Sequence, residues 1–286
     1  MRGTKTTRPR HAITDSRPHK LAISTKHVLY WDLAWPKVAR NAVGLLMTNK
    51  PLQWFRALPF GLAVRLLLLF VARTVLHIPV AFSFSQGGED IVISCLPIGQ
   101  LGTYVDVGCH EPIRLSNTFN LYLQGWRGIN IDANKDLIDE CRRVRRKDIS
   151  ICAAVSDSQR QVTFHKSKTA TVSTIDETRL KEWEANWVFA EEDKETVVTQ
   201  TLTTILDTHL KAGTKVDLLS IDVEGHDFSV LKGLDLTKYR PSVIVVECHS
   251  LQNVAESDIY SHLKSNGYTL GAFAALNAYY LDNQLA

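Results

Sequence analysis

No Cys-x-x-Cys pair occurs in the sequence, and cysteine is scarce: Cys95, Cys109, Cys141, Cys152 and Cys248 are the only five. An odd count without zinc-ribbon or haem spacing excludes a disulfide framework and a cysteine metal knot. Three of the five sit in apolar, strand-like runs, which reads as reduced thiols in a reducing compartment. No secretory leader is expected either, because the first apolar run starts late and no small-residue cleavage site follows it. Both absences predict a cytoplasmic protein. No apolar stretch of about 20 residues is free of charge, as a membrane span requires. The longest, 57–82, is interrupted by Arg65 and Arg73, with only the seven residues 66–72 between them. An arginine near a helix centre costs about 2.5–3.5 kcal/mol on insertion scales. The stretch therefore reads as a helix that docks on the body of the protein or lies in a membrane interface. There is no internal repeat. With 45% hydrophobic and 22% charged residues in 286, the chain is neither disordered nor collagen-like.

Acidic residues are nearly missing from the first 80 positions. Two Asp/Glu face 13 Lys/Arg there, a net +11, whereas residues 81–286 hold 28 acids and 20 bases, a net −8. A basic arm on an acidic body predicts two surfaces with two partners. Residues 1–27 read as a disordered basic tail and 57–80 as helical, docking on an anionic membrane surface or on the acidic body. The run Arg142-Arg143-Val144-Arg145-Arg146-Lys147 has no interleaved aromatics, so it reads as a solvated helix face, and no nucleic-acid partner is expected. Trp183 and Trp187, one helical turn apart, read as core.

From Phe82 onward, short apolar β-rich runs alternate with polar helical stretches. Strands are expected at 101–108, 128–132, 149–155, 216–223 and 242–247, with helices at 115–124, 134–147, 226–234 and 258–266. Continuous rather than alternating apolar strands indicate a mainly parallel sheet covered on both faces. The last two strands, 268–273 and 278–281, lie too close for a crossover and must form an antiparallel hairpin. The expected fold is an α/β, Rossmann-like, class I methyltransferase sheet of seven strands with an antiparallel C-terminal hairpin strand. The stretch 156–200 reads as a partly helical insertion.

In such sheets the ligand sits at the carboxyl ends of the strands. The first strand ends in Asp106-Val107-Gly108-Cys109-His110, and Asp132 ends the second, 24 residues after Gly108. The dinucleotide pattern G-x-G-x-x-G is broken, with His at 110 and Ile at 113. Those glycines serve a pyrophosphate; a nucleoside cofactor without phosphate does not need them. Asp106, Gly108 and Asp132 thus point to an adenosine-containing ligand held by its ribose, with S-adenosylmethionine the best fit. The plainer alternative makes Asp132 the cap of the following helix.

The stretch 83–250 resembles the FkbM family of S-adenosylmethionine-dependent methyltransferases. The resemblance rests on Ser85-Gln86-Gly87-Gly88-Glu89-Asp90, Tyr104 to Gly108, Ser116-Asn117-Thr118, Gly125 to Asp132, Ser173-Thr174-Ile175, Asp217 to Asp227 and Arg240 to Glu247, in family order. The block Ile221-Asp222-Val223-Glu224-Gly225-His226 is the most specific. It implies methyl transfer from S-adenosylmethionine, usually to a hydroxyl oxygen, with Asp106, Gly108 and Asp132 against the cofactor. The family commonly has Ala and Asn where this chain has Cys109 and His110, so His110 is a candidate for holding the methionine end. Residues 1–80 lie outside the resemblance.

Methyl transfer needs oxygen, methyl and sulfur in line, and a group to take the hydroxyl proton. Candidates cluster at the ends of the fourth and fifth strands: Asp222, Glu224, His226, Glu247 and His249. In one reading Glu224, His226 or His249 is the base, and Glu247 stands beside it. In a second, Asp222, Glu224 and Glu247 hold a divalent metal. In a third, Asp222 takes the backbone amides of the turn. Gln86 and Glu89 either close over the cofactor or, in Glu89's case, help begin a helix. Asp222 and Glu224 share strand parity if the strand runs that far. The expected partner is a small-molecule or saccharide acceptor. Rival functions are a nicotinamide-dependent oxidoreductase and a non-catalytic membrane- or partner-binding module.

Overall fold

The computed structural model describes residue 55 and residues 58–76, 83–167, 173–178, 180–181, 192–249 and 251–285. All belong to the unit Asn41–Ala286. The tail expected over 1–27, and Trp183 and Trp187, lie outside the described residues.

In chain order the strands are β1 (Thr103–Val107), β2 (Arg127–Asp132), β3 (Ile149–Cys152), β4 (Ala154–Val155), β5 (Gln161–Ser167), β6 (Ser173–Thr174), β7 (Glu192–Gln200), β8 (Leu218–Ile221), β9 (Val243–Glu247), β10 (Tyr268–Ala274) and β11 (Asn277–Asp282). The helices are α1 (Phe60–Leu76), α2 (Glu89–Cys95), α3 (Phe119–Gln124), α4 (Lys135–Val144), α5 (Leu202–His209), α6 (Asp227–Lys232), α7 (Leu251–Val254) and α8 (Asp258–Ser265). Seven strands form the main sheet in the order β10-β11-β9-β8-β1-β2-β3. Every pairing is parallel except those of β11, which runs against both β9 and β10. The antiparallel strand is thus last in sequence but second from the sheet edge. Its hairpin tip, Ala275-Leu276, has φ of 53° and 63°, as a two-residue turn between right-twisted strands requires.

Alternation along each strand sends side chains to two cores. Tyr104, Leu218, Val243, Val245 and Tyr279 pack with Ile93 of α2, Phe119 of α3, Trp126, Leu58 and Ala63 of α1. Val105, Val107, Leu219, Ile221, Ile244 and Val246 pack on the opposite face with Ile205 of α5, Val230 of α6 and Leu263 of α8. Burial on both faces is why these strands read as unbroken apolar runs. On α1, Leu62, Leu66 and Phe70 face the core, while Phe60, Leu68, Leu69 and Val71 are exposed. Among the described residues no helix is long and apolar enough to cross a membrane.

Three expectations change. The run 149–155 is two strands, because Ala153 breaks it and β4 joins a second sheet, ordered β4-β7-β5-β6. The insertion is helical at residues 177–178 and 180–181, as expected, but most of its described part is a β-ribbon, with β5 and β7 antiparallel from Gln161–Val198 to Ser167–Glu192. Its Thr/Val-rich stretch 196–199 favours strand over helix. In the basic run, Arg142, Arg143 and Arg146 are exposed, but Arg145 is wholly buried. It is the residue at which α4 ends, and its backbone leaves helical geometry, so its side chain turns inward.

Candidate active site

β1 delivers its last residue, Val107, to a turn built on Gly108. Gly108 has φ +78°, and a Cβ there would lie 1.7 Å from the carbonyl oxygen of Asp222. Only glycine allows the chain to turn so close to the neighbouring strand end. The amides of Gly108 and Cys109 donate to Ile131 O, and His110 follows at φ 50°. Asp132, at the end of β2, accepts from the amides of His110 (3.1 Å) and Asn134 (2.8 Å). The cap of α4 is Asn134, which accepts from Asp136 N, so the capping role considered for Asp132 falls to its neighbour. Burial pushes the Asp132 carboxyl above its ordinary range, against those two amides, which favour its charge.

β8 ends at Ile221, one residue before Asp222, so the parity argument for Asp222 and Glu224 does not apply. Glu224 sits in left-handed backbone, φ 53°, ahead of Gly225 at φ 95°. The amides of this turn go to Asp227, not to Asp222: Val223 N donates to Asp227 Oδ1 (3.1 Å) and Gly225 N to Oδ2 (3.3 Å). Thr174 of β6 donates its hydroxyl to Glu224 O, clamping the turn from the ribbon. Burial, and then the nearby carboxylates of Glu247, Asp227 and Glu224, hold the Asp222 carboxyl well above the usual range. His249 Nε2 lies 3.4 Å from Glu247 Oε1. His226 is buried, its Nε2 is 2.9 Å from Ser156 Oγ, and burial lowers its pKa, which leaves the imidazole neutral at pH 7. Among the described residues no three acidic, His or Cys side chains are arranged to hold a metal ion, so the set Asp222, Glu224 and Glu247 is not formed. The left-handed turn carries Glu224 off the line of the strand.

The opposite lip is the start of α2. Glu89 is buried and accepts from Gly87 N (2.8 Å) and Asn277 Nδ2 (3.4 Å). The work of ordering this segment falls to Asp90, which accepts from Ser83 Oγ, Ser85 Oγ and Phe84 N.

These elements enclose a cavity of about 630 Å³ across the carboxyl ends of the sheet. Gln86, Glu89, Gly108, His110, Asp132, Asp222, Glu224, His226, Glu247 and His249 all line it. Asp106 does not. It is buried on the far side of β1, where it accepts from Thr118 Oγ1 (2.5 Å). Asn117, Thr174 and Asn277 line the cavity and were not singled out from sequence. The first two sit in the short blocks 116–118 and 173–175, which carried the family likeness. Asn277 had no signal beyond the hairpin. His110 Nδ1 and Asn277 Oδ1 are buried with no hydrogen-bond partner.

The strand order, with its one reversed strand and a cavity at the switch point, defines a Rossmann-like α/β fold of the methyltransferase kind. The family model for the methyltransferase FkbM domain matches residues 106–270, and the chain belongs to that family. It is a methyltransferase whose cofactor is S-adenosylmethionine. A TehB-like SAM-dependent methyltransferase from Corynebacterium glutamicum ATCC 13032 is similar at TM-score 0.35 and 11% identity, over 73% of this chain and 93% of that one. No curated protein sequence matches the chain.

The residues present fit that cofactor. No Lys or Arg is among the described residues lining the cavity, whereas Asp132, Asp222, Glu224 and Glu247 are. Such a lining suits a sulfonium and an ammonium and offers nothing to a pyrophosphate. The unsatisfied His110 Nδ1 and Asn277 Oδ1 are polar atoms that a bound ligand can meet.

Proposed function

We propose that the chain methylates a hydroxyl oxygen of a saccharide or another small polyhydroxylated metabolite. The observation that carries this reading is the order of groups along the cavity. Asp132 and Gly108 stand at the ends of β2 and β1, and Asp222, Glu224, Glu247 and His249 at or just past those of β8 and β9. From β2 to β11 is four strand steps, about 19 Å at roughly 4.8 Å each, which is room for a nucleoside cofactor and an acceptor side by side. In this arrangement Asp132 accepts from the ribose hydroxyls, and Gln86, Glu89 and His110 close around the amino-acid end. When bound, S-adenosylmethionine supplies an electrophilic methyl group on a positively charged sulfur. Asp222 and Glu247 place negative charge where that positive charge is expected. Glu224 takes the acceptor's hydroxyl proton, a contribution of about 10²- to 10⁴-fold in rate. His226 is less suited, because its Nε2 is engaged by Ser156. The test is transfer of radiolabelled methyl from the cofactor into a small-molecule extract. Label in a glycan or metabolite fraction that survives mild alkali supports an ether product. Label released by alkali, or found only in protein or nucleic acid, refutes it.

The reading includes a cytoplasmic location with peripheral membrane contact through α1. Its exposed Phe60, Leu68, Leu69 and Val71, within a stretch of net charge +11, suit an anionic bilayer surface. Leu68→Glu with Val71→Glu should keep the fold and abolish binding to phosphatidylserine vesicles. Vesicle binding equal to that of the parent chain excludes the contact.

A further inference from the structure

Arg145 is the one member of the basic run that the site reading leaves unexplained. Its guanidinium is wholly buried, and among the described residues no carboxylate accepts from it directly. Instead Nε donates to Pro112 O (2.8 Å), Nη1 to Thr118 Oγ1 (2.7 Å) and Asn130 Oδ1 (2.7 Å), and Nη2 to Ser116 Oγ. Three of these four acceptors belong to one segment, 112–118. That segment holds Leu115 in left-handed backbone at φ 54°, just after His110 at φ 50°. Both residues, with Asn117, line the cavity.

The same segment reaches further. Ser116 Oγ accepts from the amides of Thr118 and Phe119, which starts α3. Ser116 N donates to Phe84 O, beside the lip that carries Gln86 and Glu89. Asn117 Nδ2 donates to Ser220 Oγ on β8. Thr118 Oγ1 links the guanidinium to Asp106. A planar fork with several fixed N–H groups can pin a carbonyl and two hydroxyls at set angles; an ammonium cannot. Left-handed non-glycine residues persist only where their surroundings over-determine them.

We infer that Arg145 is a positioning residue for S-adenosylmethionine: from outside the cavity it fixes the 110–118 wall against which the cofactor lies. The role also assigns Asp106, which serves the cofactor through Thr118 and Arg145 rather than by touching it. The inference rests on the cofactor occupying this cavity.

The experiment compares Arg145→Lys, Ser116→Ala and the exposed Arg143→Ala in the full chain. Affinity for S-adenosylhomocysteine is measured by calorimetry well below each melting temperature, with hydrogen exchange of peptide 110–118. Arg145→Lys should weaken binding at least tenfold and speed exchange in 110–118. Ser116→Ala should do the same to a smaller extent, and Arg143→Ala should do neither. If Arg145→Lys does not fold, Ser116→Ala decides. Unchanged affinity in the deciding variant, whatever its melting temperature, overturns the inference. Asp132→Ala separates the two levels. If it also binds S-adenosylhomocysteine normally, the cofactor is not in this cavity. If it alone loses binding, the cavity stands and the role of Arg145 fails.

Discussion

Asp222 and Glu247 lie on adjacent chain segments one step beyond the Ile221–Val246 pair of β8 and β9, and both line the cavity. Two carboxyls so placed do not ionise independently, and Asp222 is held well above its ordinary 3.8 by burial and by Glu247. Because the folded state retains a proton that the unfolded state has lost, this group's contribution to stability declines as pH rises above 3.8 toward the raised value. A bound cation favours the charged carboxylate and so opposes that shift. Across the pH range in which this group titrates, binding of S-adenosylmethionine should therefore release more protons than binding of S-adenosylhomocysteine, which lacks the sulfonium. Calorimetry in buffers of different ionisation enthalpy measures this, and equal proton release by the two ligands contradicts the placement.

Asp132→Ala removes the acceptor assigned to the ribose and the one that fixes the amides of His110 and Asn134. Hydrogen bonds to a charged group are worth about 1.5–3 kcal/mol. Affinity for S-adenosylhomocysteine should fall by about 10- to 100-fold, with Asp132→Asn intermediate. An unaltered dissociation constant for the alanine variant rules the ribose role out.

Glu224→Gln keeps the side-chain shape and leaves the turn's amides on Asp227. Cofactor binding should stay within a factor of two or so, while methyl transfer drops by about 10²-fold or more if the carboxylate takes the proton. Normal turnover would falsify that assignment and shift attention to His249, which stands beside Glu247.

Gly108→Ala places a methyl group 1.7 Å from Asp222 O and a side chain in left-handed backbone. Neither the turn nor β8 can yield without disrupting the β1–β8 ladder. The cost should exceed about 3 kcal/mol, read as a lower urea midpoint or as loss of soluble protein. Near-parental stability would mean that the close approach of these two strand ends is not kept in solution.

The central strands β1, β2, β8 and β9 are legible in the sequence because they are buried on both faces and each ends at or beside a glycine or an acid. Val243 to Val246 and the Asp106-Val107-Gly108 turn carried that signal locally. The place of Asp132 at the cavity is legible for the same reason, since β2 ends there, whereas Glu224 reaches the cavity from a left-handed turn past the end of β8 that strand spacing does not reveal. What could not be read depended on contacts distant in sequence. Asp106 looks like a cofactor ligand until Thr118 and Arg145 are seen beneath it. Arg145 looks solvated because its neighbours are, and only the end of α4 turns it inward. Asn277 reaches Glu89 across 188 residues, and no local pattern announces such a meeting. The ribbon stays hidden in the sequence because Glu and Lys mask its Thr/Val content.

The reversed strand has a consequence for how the protein is made. β11 ends at Asp282, yet it fills the gap between β9 and β10. During synthesis β10 emerges with no neighbour to pair with, and the edge of β9 stays open until the final strand arrives. Domains that must wait for a C-terminal strand leave an unpaired, aggregation-prone edge in the meantime. A premature stop a dozen codons early would not shave the rim of the sheet. It would leave a slot inside it and remove the tip that completes the cavity.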